Sequence, residues 1–192
     1  MSDLPHCDEL HLKFFDRWYS SEDRQRRLYK ATRPDLEELI SCPARSLSSD
    51  DKRTIEKQVA GMLAAAREDW PRYLEVTEPI SKHWINAFDR HYDERAVRGV
   101  LERSDPDDFS NDYVIICCEL GAVLGEIFLS TRSGFAWEYD SPYWESAIIN
   151  QKKTHRVNVF HWAIKKMSGY GAADKLEEKI ELALQVLEGK PQ

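Results

Sequence analysis

Cysteine is scarce in this chain: four residues in 192 (Cys7, Cys42, Cys117 and Cys118), none spaced as a CxxC pair. That count and spacing give neither a disulfide framework nor a zinc-finger ligand set. Catalytic signatures are missing too. The sequence has no Gly-x-Ser-x-Gly elbow, no Walker-type phosphate loop and no Gly-x-Gly-x-x-Gly turn after a strand, which removes the common serine hydrolase, P-loop and dinucleotide-binding readings. No cofactor is expected.

An excess of basic charge is also lacking, since the formal net charge is −7. Affinity for nucleic acid comes mainly from Lys and Arg displacing counterions, so a general nucleic-acid binder is not expected. Two local basic clusters, Arg24, Arg26, Arg27, Lys30 and Arg33, then Lys152, Lys153, His155 and Arg156, read as solvated faces or turns. The start, Met-Ser-Asp-Leu-Pro-His, lacks the basic and apolar runs of a signal peptide. With reduced thiols, that points to the cytoplasm.

What the chain does contain is a supply of core: 42% hydrophobic residues, with six Trp, eight Tyr and seven Phe against 32% charged. This fits one globular domain over residues 1–192. Residues 1–110 read as helices. Leu12, Phe15 and Trp18 or Tyr19 recur at helical spacing over Asp8 to Tyr19, and Thr32 to Ile40 has a capping residue and early acids. Ser48 caps a helix that Trp70-Pro71 is expected to break near Asp69. Another is expected to begin at Glu78-Pro79 and run to His91, with a restart before Asp105-Pro106. The acidic run Asp105 to Asp112 lacks the Gly and Glu of a calcium loop, so a capping loop is expected.

Residues 112–130 are apolar nearly all round, which predicts a buried central helix. Glu119 and Glu126 fall on one stripe, expected at the solvent edge. Cys118, Gly121, Ala122 and Gly125 form a small-residue stripe where another backbone could approach. The Gly-x-x-x-Gly spacing occurs in membrane helices, but about 17 residues with two glutamates are short and costly for a bilayer. No membrane contact is expected.

After Gly134 the period changes to two. Phe135, Trp137 and Tyr139 alternate with Ala136, Glu138 and Asp140. Tyr143 to Asn150 reads as a central strand, and a third strand carries Val157 and Val159. The fold class is therefore α+β: a helix-rich domain with a buried central helix and a three-stranded antiparallel sheet over about 134–160. A short helix through Trp162 and a last helix from Ala173 to Glu188 complete it. The order Leu120-Gly121-x-x-x-Gly125, Trp137 in a strand, then Val157-Asn-Val-Phe160 leading into Lys165-Lys166 resembles a small bacterial domain family of unknown function, over about residues 111–168. That resemblance implies a bacterial accessory protein and assigns no catalytic residue.

The strongest functional candidate is Phe135 to Glu145. Glu138 and Asp140 at i and i+2 on a strand lie about 7 Å apart, compatible with paired acid and base work on a glycoside, with Glu145 as a further carboxylate. Trp137, Tyr139, Tyr143, Trp144 and His161 are candidate ligand-binding residues. Against this, plain alternation already explains the carboxylates as a strand's polar face. The histidines (His6, His11, His83, His91, His155 and His161) show no metal-binding spacing, so no metal is expected. The leading expectation is a non-enzymatic binding or accessory protein, immunity-like or regulatory, with another and possibly basic protein as partner. A homo-oligomer and an enzyme acting on a carbohydrate or small molecule are the alternatives.

Overall fold

The computed structural model describes residues 4–24, 46–77, 79–131, 134–150 and 156–187, with side chains to 184. The helix expected at Thr32 to Ile40, Cys42, most of both basic clusters and the glutamate at 78 lie outside the described residues. The α+β class holds, as helices pack against a three-stranded antiparallel sheet of order β1-β2-β3.

In chain order the elements are α1 (Cys7–Phe14), a 3-10 turn (Asp16–Trp18), α2 (Ser49–Tyr73), α3 (Lys82–His91), α4 (Glu94–Arg103), α5 (Asp112–Thr131), β1 (Phe135–Glu138), a second 3-10 turn (Tyr143–Glu145), β2 (Ala147–Asn150), β3 (Arg156–Val157), α6 (Val159–Lys166) and α7 (Leu176–Leu187). Helix α5 is the hub. It packs against α2, α4, α6, β1 and β2, and Leu120, Val123, Leu124 and Phe128 on it are fully buried. Asn111 caps it, its side-chain oxygen accepting from the Val114 N–H at 3.0 Å.

The small-residue stripe on α5 receives rings rather than another backbone. Gly121 lies under the Phe160 ring and Gly125 under the Trp137 indole, so that a Cβ at either position would overlap the ring. Trp137 pairs with Ile148 and Ile148 with Val157, which sets one row of the sheet against α5. Ala136, Ile149 and Arg156 form the opposite row. Gly134, with φ 116°, takes the chain into β1 through a conformation that side chains disfavour.

Several boundaries and faces differ from expectation, each for a packing reason. Trp70-Pro71 does not break α2, which continues to Tyr73. Trp70 is fully buried, its indole N–H donating to Glu119 at 2.8 Å and its ring against Trp84 and Phe88, and a proline in the last turn removes only one helical bond. Helix α3 starts at Lys82 rather than at Pro79, because the Trp84 indole donates to the Thr77 carbonyl and ties the preceding segment down. The first helix stops at Phe14, where Phe15 and Tyr19 turn inward while Leu12 and Trp18 are exposed.

Tyr143 to Asn150 is not one strand. Tyr143 and Trp144 are adjacent and both buried; a strand sends neighbours to opposite faces, whereas the 3-10 turn sends both inward. The third strand ends at Val157, and Val159 is buried in the first turn of α6. Glu119 is not at the solvent edge, being 4% exposed. Glu126 is half-buried, paired with Arg67 at 3.2 Å.

Candidate functional site

Phe135 to Glu145 separates into parts with different surroundings. Trp137 lies parallel to Tyr139, with 6.0 Å between centroids, and against Phe160. Trp144 is caged by Phe15, Tyr19, Phe109 and Tyr143 at 5.1–5.8 Å. Tyr143 also meets Phe160, and burial pushes its hydroxyl well above the ordinary tyrosine value. Tyr143 and Trp144 fill the core, while Trp137 and Tyr139 are half-buried against it.

Glu138 and Asp140 share Arg156, whose guanidinium lies 3.3 Å from Glu138 and 3.9 Å from Asp140. Arg156 reaches Glu138 along the sheet face opposite α5, and its own side chain is only 9% exposed. Asp140 is buried; its backbone N–H donates to the Ser146 hydroxyl at 3.1 Å and its carboxylate accepts the Ser141 N–H at 2.9 Å. The arginine thus holds both carboxylates in one ion network, in which its own buried Nε makes no hydrogen bond.

The Glu145 side chain stands apart from that network, although Arg156 donates to the Glu145 backbone carbonyl. Its carboxylate accepts the Tyr19 hydroxyl and lies 3.2 Å from Nε2 of His161. The Tyr19 hydroxyl is also 3.2 Å from Nε2 of His11, and the two histidine rings are 5.5 Å apart. His11 comes from α1, Tyr19 from the end of the first 3-10 turn, Glu145 from the second and His161 from α6. Of the expected site residues, only Glu145 and His161 are brought together here. His11 and Tyr19 escape a search by spacing because they lie more than a hundred residues from their partners.

A second surface lies at the capping loop before α5. Asp105, Asp107 and Asp108 are exposed, and the loop is held by its own bonds. The Asp107 N–H donates to Asp105 at 2.9 Å, the Ser110 N–H to Asp108 at 2.8 Å and Asn111 to the Asp108 carbonyl at 2.5 Å. The Ser110 bonds hold the Asp108 carboxyl below its ordinary value. Phe109 meets Trp18 edge to face at 5.2 Å, and Arg17 pairs with Asp107. Trp18 is 38% exposed, so a hydrogen-bonded acidic loop flanks a partly exposed indole that Arg17 overlies at 6.0 Å.

A pocket of about 470 Å³ lies elsewhere, between the end of α2 and α3, lined among others by Thr77, Ser81, His83 and Arg90. None of the expected site residues lines it. Comparison with family models, curated proteins and solved structures finds no match to the chain.

Proposed function

We propose that this chain is a non-enzymatic protein-binding module, immunity-like or regulatory, working in a bacterial cytoplasm and holding a basic partner on the face formed by Trp18, Phe109 and the acidic loop. The observation that carries this reading is the pairing of an exposed, edge-packed tryptophan with three exposed aspartates, one of them already paired with Arg17. Aromatic anchors ringed by charge are where binding energy concentrates, and a loop already held by hydrogen bonds loses little entropy on docking. The net charge of −7 favours encounter with a basic protein.

The enzyme alternative is weakened by Arg156, which already engages Glu138 and Asp140. The resemblance of residues 111–168 to a small bacterial domain family belongs to the same proposal. Its test is affinity capture with the wild-type chain beside the Asp107→Lys/Asp108→Lys and Trp18→Ala variants. The expected outcome is a basic protein held by wild type at low salt, released at high salt and lost from both variants. A partner retained equally by the charge-reversed variant, or recovery of no salt-sensitive partner, overturns the reading.

A further inference from the structure

We infer that His11, Glu145 and His161 form a binding site for a divalent first-row transition ion of the Zn²⁺ class, a clasp that ties α1 to the second half of the fold. The ligand atoms of these three residues all lie within 4.8 Å of one another. Four ligands around one zinc ion at 2.0–2.1 Å stand roughly 3.3 Å apart along each tetrahedral edge. Two edges of that figure are already laid out: Glu145 to His161 Nε2 at 3.2 Å, and Tyr19 hydroxyl to His11 Nε2 at 3.2 Å. The Tyr19 hydroxyl, now hydrogen-bonded to Glu145, reaches the fourth corner only by moving off that carboxylate.

The donor set selects the ion. Two imidazole nitrogens and one carboxylate oxygen suit zinc and its first-row neighbours, whereas calcium and magnesium take oxygen ligands. Burial is graded to match. His11 is buried and the Glu145 side chain is 14% exposed, while that of His161, at 37%, leaves an entry path.

Charge around the site permits a cation. The nearby Arg156 donates to the Glu145 backbone carbonyl at 2.9 Å and directs its charge to Glu138 and Asp140. Ligation requires the carboxylate and two neutral imidazoles, and any proton those rings carry leaves to solvent as the ion enters. The Tyr19 hydroxyl, which now donates to Glu145, gives up that acceptor to the ion and joins it as the fourth ligand, its phenolic proton leaving to solvent. Because the ligands come from α1, the second 3-10 turn and α6, occupancy would stabilise the folded chain without any change of fold.

The experiment is titration of Zn²⁺, and of Co²⁺ as its spectroscopic stand-in, into untagged, chelator-stripped full-length protein. Expected are one ion per chain, the intense visible bands of four-coordinate Co²⁺ and a rise of several degrees in Tm with Zn²⁺. His161→Ala, at a partly exposed side chain, should keep the metal-free Tm while weakening binding by more than the roughly 100-fold that loss of an outer-sphere partner costs. A His6→Ala/Cys7→Ser variant removes the other metal-capable group among the described residues, His6, Cys7 and Asp8, and should bind as wild type does. No saturable binding, undiminished binding by His161→Ala, or loss of the Tm rise in the His6/Cys7 variant each overturns the assignment. The hydrogen-bonded cluster is then a structural relay only.

Discussion

Glu119 shows how a single carboxylate couples the fold to pH. Helix projection places it opposite the apolar face of α5, and nothing in the sequence says that Trp70 from α2 closes over it, with its indole donating at 2.8 Å. Desolvation raises its pKa from the ordinary 4.5 to about 7, opposed by the Trp70 bond and assisted by Asp69. The folded state therefore keeps a proton that the unfolded state releases, and stability falls as pH rises between those two values. Across that window the loss is on the order of 3 kcal/mol. Glu119→Gln cannot ionise and still offers the indole an acceptor. Its Tm should stay level from pH 5 to pH 8 and exceed that of wild type at the upper end. A wild-type slope that persists in the glutamine variant would place the titrating group elsewhere. Lys165 and Lys166 make the same point about legibility: adjacent and identical, yet Lys165 sits over the Tyr170 ring at 3.8 Å and Lys166 is 2% exposed. Sequence pattern gives the helix; which of two lysines turns inward depends on α3 and the start of α7.

Elements were legible where one physical signal dominated. The apolar run of α5, the switch to period two at Gly134 and the capped start of α2 each appear in the structure with nearly the expected bounds. Boundaries failed where tertiary contacts overrode a local signal, as those of Trp70 with Glu119, Trp84 and Phe88 do for Pro71. The candidate site was legible in part for the same reason. Glu145 and His161 sit within one segment of chain and drew notice, whereas His11 is an ordinary helical residue until α1 packs on α6. The two glycines of α5 allow the packing of this element to be tested. Alanine at either gains about 1 kcal/mol in helix propensity, against roughly 1–3 kcal/mol for forcing a methyl into filled space. Phe160 over Gly121 is fully buried and has nowhere to go, while Trp137 over Gly125 is half-buried and can shift outward. Gly121→Ala should thus be destabilising by denaturant titration, and Gly125→Ala close to neutral. Equal costs at the two positions would count against this account.

At the scale of the molecule, the helical first half and the C-terminal helices are joined by polar contacts set into an apolar core. Lys166 at the end of α6 lies 2.9 Å from Asp89 of α3 and also donates to the carbonyls of Ala172 and Asp174 at 3.2 and 2.8 Å. The other Asp89 oxygen accepts the first N–H of α7, from Leu176, at 2.9 Å. One ion pair thereby fixes α3, α6 and α7 relative to one another. Removing one member leaves the other charge buried without its counterion, which costs about 3–5 kcal/mol, whereas removing both is far milder. Asp89→Ala should therefore lower the denaturant midpoint sharply. Asp89→Asn with Lys166→Met together should lose less than the sum of the single changes, a favourable coupling in the double-mutant cycle. Because α3 belongs to the helical first half and α6 and α7 to the second, both halves should unfold in one transition in wild type and in each variant. Strict additivity would mean that the pair does not act as a unit. A separate early transition in Asp89→Ala would mean that the core around α5, and not this ion pair, carries the cooperativity between the halves.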